Sequence, residues 1–230
     1  QRVRPAIDFV YKRWLQVSLH GVENIPRDRA AILVCNHNGA LPYDATMLMH
    51  GLATKIDQPL ELRPLLEDSV FHLPYLGVFL RRLGAVRACQ ENAMRLLDAG
   101  KLVAVFPEGH KAASKTHSER NTLRRFGRGG FVKLALRSGA PLVPVAIVAH
   151  ESPTRKLLPN GLQRQRFGPL KGSLLPAPAR WTIVIGEASD LSEELPDASL
   201  DDRTLIADHS AAVRSQIQEM INNVLVSGNP

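Results

Sequence analysis

Four short runs constrain the fold most: residues 30–35 (AAILVC), 102–106 (LVAVF), 142–148 (LVPVAIV) and 181–185 (WTIVI) are apolar at almost every position. A strand with one wet face alternates apolar and polar residues. Unbroken apolar runs of this length belong to strands buried on both faces, the hallmark of a mainly parallel sheet. Between them lie segments with helical apolar spacing: 45–53, 72–83, 91–99 stopping at Gly100, 130–138 capped by Gly139, and 201–226. Strands alternating with helices predict an α/β fold, a mixed, largely parallel sheet flanked by helices. A further run at 62–66 reads as a strand, although Pro64 removes a ladder donor from it. The 230 residues suit a single domain over 1–230. Within it we expect an amphipathic helix at about 5–19, an α/β core over about 21–187 and a C-terminal helix at about 201–226. Residues 152–179, rich in Pro and Gly, read as a long surface loop rather than a linker.

Charge divides the chain. Before residue 187 there are 27 basic and 13 acidic side chains, and from there on two basic and nine acidic, for a net +7. The densest basic stretch runs from Lys111 to Arg137, eight cations against Glu119 alone. Such a field favours an anionic partner: phosphate groups, anionic lipid or nucleic acid. Only Phe126 and Phe131 interleave it, a thin platform for base stacking, so lipid head groups suit it better than nucleic acid. No apolar run approaches the roughly 20 residues needed to span a bilayer. The opening QRVRP carries no signal-peptide core. Cys35 and Cys89 give no disulfide framework, which fits a reducing compartment.

In open α/β sheets, functional groups gather beyond the carboxyl ends of the strands. Two polar clusters lie at such ends here: Asn36-His37 with Asp44 after one strand, and Pro107-Glu108-Gly109-His110-Lys111 after another. A neutral imidazole accepts a proton near pH 7, and a neighbouring carboxylate fixes its tautomer and stabilises the imidazolium. The plain alternative is a strand-end histidine followed by a helix-capping Asp44. Other chemistries fit less well. Cys35 shares a strand face with His37 but sits in an apolar run, which disfavours a thiolate. No Gly-X-Ser-X-Gly elbow occurs. The glycines at 127, 129 and 130 match neither the P-loop nor the dinucleotide pattern. The eight histidines show no metal-ligand spacing, so no metal is expected.

Taken in order, the runs VCNHNGALPYDATML, LRRLGAVRA, VAVFPEGHK and APLVPVAIV resemble the four blocks of the glycerolipid (lysophospholipid, glycerol-phosphate) acyltransferase superfamily. The resemblance spans roughly residues 21–187. It implies an O-acyltransferase, similar to 1-acylglycerol-3-phosphate acyltransferases, with His37 as base and Asp44 as its partner. It further implies acceptor binding by Arg87, Glu108 and Gly109, with Lys111 and Arg128 as additional substrate contacts. The implied substrates are an acyl thioester (acyl-CoA or acyl-carrier protein) and a lipid acceptor, with no separate cofactor. The implied setting is peripheral, at the cytoplasmic face of a membrane. Two departures stand out. Six residues rather than four separate His37 from Asp44, and His110-Lys111 replaces a small residue and Arg after the FPEG run. The longer gap, with FGRGGF at 126–131, resembles a bacterial branch of the superfamily. The competing reading is a non-catalytic binder of anionic lipid or nucleic acid that uses the basic stretch at 111–137.

Overall fold

The computed structural model describes residues 4–37, 43–56, 61–72, 76–109, 115, 119–150, 178–195 and 200–227. Its centre is one seven-stranded sheet in the order β1 (Val17–His20), β7 (Arg180–Ile185), β6 (Leu142–His150), β2 (Ala31–Cys35), β5 (Leu102–Val105), β3 (Leu62–Leu66) and β4 (Val86–Arg87). Neighbouring strands are parallel, except that β6 and β7 are antiparallel. The sheet is therefore mixed and largely parallel, as the apolar runs predict.

The central strand β2 shows why those runs do not alternate. Leu33 and Cys35 enter one core, Ile32 and Val34 the other, and all five residues of β2 are buried. Helix α1 (Arg4–Phe9), its π-helical continuation Val10–Trp14 and α2 (Tyr43–Lys55) cover the first face. The opposite face is covered by α5 (Gln90–Asp98), α6 (Gly130–Ser138) and α8 (Arg203–Ser227), through side chains such as Leu97, Val132 and Ile217. Each fully buried Leu or Ile contributes about 1.5–3 kcal/mol, so two apolar faces on one strand act as a strong register lock. Short helices α3 (Asp68–Phe71), α4 (Leu76–Arg82) and α7 (Leu191–Glu194) sit at the borders.

Local structure departs from expectation in the N-terminal segment. The amphipathic segment expected at 5–19 ends as helix at Trp14, because Gln16 adopts a positive φ of 41° and the chain turns into the edge strand β1. There Leu19 is buried, and Ser18 Oγ donates to the carbonyl of Trp181 at 3.3 Å. Of the helix expected at 72–83, residues 76–82 form α4, 73–75 lie outside the described residues, and the separate helix α3 ends just before it at Phe71. Strand β3 forms despite Pro64. Its partner β4 meets only Leu65 and Leu66, so on that side the ladder starts beyond the proline. β4 itself is two residues long, too short to read from pattern. Of the expected 152–179 loop, residues 152–177 lie outside the described residues.

Helix α8 starts where the Asp202 carboxylate accepts the backbone N–H groups of Thr204 and Leu205, both at 3.0 Å. It passes close to the start of α6. Gly129, at φ 68°, leaves no room for a side chain: a Cβ there would fall 2.5 Å from Ile206 Cγ2. Among the described residues, no helix is long and apolar enough to cross a membrane.

Candidate active site

β2 and β5 are neighbours at the middle of the sheet and run parallel, so the segments that follow them emerge at the same edge. Asn36 follows β2 and is buried. Its Nδ2 donates to the Ile147 carbonyl at 2.8 Å, and its Oδ1 accepts the Ile147 N–H at 2.6 Å. This two-bond clamp ties the end of β2 to β6 and fixes where His37 begins.

His37 comes next in the alternation of Leu33 and Cys35, on the α2 side of the sheet. Its Nδ1 is hydrogen-bonded to Oδ2 of Asp44, which is almost wholly buried in the first turn of α2. A helix N-terminus favours a carboxylate there. Asp44 therefore meets the imidazole despite the six-residue gap; residues 38–42, which include Gly39, lie outside the described residues. The imidazole faces Phe106 with ring centroids 5.2 Å apart. Among the described residues Nε2 makes no hydrogen bond, which makes it the ring nitrogen that a substrate can use.

Glu108, beyond β5, joins the two segments. One carboxylate oxygen accepts the His37 backbone N–H at 3.2 Å, and the other accepts the Arg124 N–H at 2.8 Å. The second oxygen also pairs with Lys115 Nζ at 2.5 Å, and both side chains are buried. A buried carboxylate with two backbone donors and an ammonium is well satisfied.

Electrostatics separate the two nucleophile or base candidates. Burial pulls the His37 pKa down, but the charge and hydrogen bond of Asp44, helped by Glu108, outweigh that, so the net shift is upward. Cys35 is fully buried, and burial together with the Asp44 charge pushes its thiol well above the ordinary range. It stays a thiol at neutral pH and packs as a small hydrophobe.

The remaining residues singled out by sequence lie as follows. Gly109 takes a positive φ of 55° in the turn after β5. Its own N–H donates to the Phe106 carbonyl at 3.0 Å, so that N–H does not serve as an oxyanion donor in this conformation. Arg87 ends the edge strand β4, two strands from β5; it is mostly exposed and paired with Asp68 at 2.6 Å. Arg128 is exposed just before α6. Lys111 lies outside the described residues. Sequence reasoning places Asn36 in the strand-end cluster without giving it a role, and it misses Lys115. A polar residue on the parity of Ile32 and Val34 signals a buried amide that needs partners. Lys115 carries no such signal within its basic stretch.

A sequence model described as Acyltransferase matches residues 16–148, more than half of the chain. The chain belongs to the acyltransferase family. An uncharacterized protein of Mycobacterium tuberculosis is 40% identical over 97% of this chain and 65% of its own length. The chain therefore spans just under two thirds of that mycobacterial relative. The 1-acyl-sn-glycerol-3-phosphate acyltransferase of Bacillus subtilis is 24% identical, over 90% of this chain and 89% of its own. The crystal structure of the 1-acyl-sn-glycerophosphate acyltransferase PlsC from Thermotoga maritima superposes with a TM-score of 0.53 at 23% identity. It covers 94% of this chain and 79% of that one, and it shows that the fold is shared.

Proposed function

We propose that this acyltransferase-family chain moves a fatty acyl group from an acyl thioester to a hydroxyl of a lysophospholipid or glycerolipid-type acceptor, with His37 as general base. The observation that carries the reading is the His37–Asp44 pair at the carboxyl end of the central strand, with Nε2 left to the substrate. The acceptor hydroxyl lies against Nε2. The imidazole takes its proton as the oxygen attacks the thioester carbonyl, and the tetrahedral intermediate then expels the thiolate, which recovers the proton from the imidazolium. Asp44 holds the tautomer and stabilises the imidazolium. The acceptor class is supported by the Bacillus subtilis relative, a 1-acyl-sn-glycerol-3-phosphate acyltransferase, which aligns over 90% of this chain.

A peripheral position at the cytoplasmic face of a membrane belongs to the same reading. Phe9 and Val78 are about half exposed, beside Lys12-Arg13 and Arg81-Arg82 respectively. Apolar tips flanked by cations suit an anionic interface.

The test is thioester cleavage with acyl-CoA or acyl-carrier protein, followed by mass spectrometry, against acceptors held in anionic vesicles. Cleavage should depend on an acceptor hydroxyl, and the protein should float with the vesicles at low salt. Cleavage that ignores the acceptor, or none at all, sinks the catalytic reading; absence from the floated vesicles sinks the membrane part.

The pH profile gives a second check. His37 works as a base only when neutral, and its pKa is raised. Activity is therefore expected to fall as pH drops through a value above the ordinary imidazole range. Asp44→Asn removes the charge that raises it and leaves burial, which lowers it. The acid limb of kcat/KM should move to lower pH while kcat falls. An unmoved acid limb would show that the titrating group is not His37.

A further inference from the structure

The basic character of the 111–137 stretch is not spread evenly over a surface. A cavity of about 550 Å³ lies between residues 125–128 and the first half of α8. Arg125, Arg128, Lys133, Arg203 and Arg214 line it, and no carboxylate does. Among the described residues none of the five forms an ion pair. Five cations kept together without counter-charge repel one another, which destabilises the fold unless a ligand supplies the anion.

The cavity adjoins the candidate site. Arg125 follows Arg124, whose N–H is held by Glu108, which in turn holds the His37 N–H. A second, mainly apolar groove of about 300 Å³ shares Gly127 and Arg128 with the cavity and reaches Phe106, the ring against His37. Leu65, Val105, Phe131 and Leu134 also line it.

We propose that the cationic cavity is the subsite for the phosphate-bearing nucleotide end of a coenzyme A thioester, with its uncharged arm leading through the apolar groove toward His37. This rests on the acyl-transfer reading and names its donor. Charge and shape choose the ligand class. A single phosphate monoester carries about −1.5 to −2 and is matched by one or two cations. The diphosphate and the additional phosphate of coenzyme A carry about −4 together, closer to five cations. A concave cavity of this volume is the scale of a small-molecule site. An acidic carrier protein would instead be met by a convex or flat basic face.

The test uses Lys133→Ala/Arg203→Ala, two side chains from different helices that make no hydrogen bond or ion pair among the described residues. Two donors are compared: a long-chain acyl-CoA, and the same acyl group on pantetheine, which lacks the nucleotide. The double variant is expected to raise KM for acyl-CoA at least about tenfold, with kcat, acceptor KM and all constants for acyl-pantetheine unchanged. Calorimetric titration with free coenzyme A should show the same loss of affinity, and it reads the site even if no transfer occurs. An unchanged KM for acyl-CoA with unchanged coenzyme A affinity overturns the proposal. So does an equal effect on both donors, or a rise confined to the acceptor KM, which would give the cavity to an acceptor phosphate. Failure of wild-type protein to cleave either donor would instead count against acyl transfer and leave the titration to decide the subsite.

Discussion

His37→Ala is expected to lower kcat by about 10²–10⁴-fold, the usual contribution of a positioned general base. Among the described residues, the imidazole supplies the only ring nitrogen at this strand end that is oriented by a buried carboxylate, and Cys35 beside it is held as a thiol. The backbone anchor to Glu108 does not involve the side chain and should survive the change. The substitution does remove one partner of a buried carboxylate, so some loss of stability is expected along with the loss of rate. His37→Gln separates the two effects: its amide can still donate toward Asp44 but cannot take a proton. A low kcat in both variants, with the glutamine protein melting near wild type, marks a chemical role. Near-wild-type turnover in a folded variant would remove His37 from the mechanism altogether. The measurement is kcat with saturating donor and acceptor, alongside thermal unfolding followed by circular dichroism.

Much of the fold is legible because its physics is repetitive. Strands buried on both faces are apolar without a break, and β2, β5, β6 and β7 read directly from their composition. The elements that do not read are those whose existence depends on a partner. β1 continues a helical pattern until Gln16 turns the chain, and it becomes a strand only because β7 offers an edge. β4 has two residues and no pattern of its own. The site divides the same way. His37, Asp44 and Glu108 stand out as polar residues just beyond apolar strands. The clamp from Asn36 to Ile147 joins positions 111 residues apart, and the Lys115–Glu108 pair picks out one cation from a long basic stretch. No local spacing announces either one. Glu108 is engaged differently from what the family resemblance implies. The family resemblance gives it to the acceptor, whereas in the folded chain both its oxygens are engaged by protein donors.

That difference can be measured. Glu108→Gln removes the counter-charge from a buried ammonium, and breaking one partner of a buried pair costs about 3–5 kcal/mol. For a chain of this size, that lowers Tm by roughly 10 °C. The amide also turns its NH₂ donor toward a group that was itself donating, either the His37 N–H on one side or the Arg124 N–H and Lys115 on the other. Adding Lys115→Met removes the stranded charge and replaces it with an apolar side chain of similar length. The double variant should recover the larger part of the lost stability, because an isolated buried charge costs more than one mismatched amide. Its kinetics then report what Glu108 does. If the carboxylate mainly positions the His37 backbone, the rescued protein keeps a depressed kcat while the acceptor KM stays near wild type. If Glu108 instead contacts the acceptor, the acceptor KM rises and kcat at saturation is retained. Positioning is the expected outcome, because the His37 and Arg124 N–H groups and the Lys115 ammonium already take up both carboxylate oxygens.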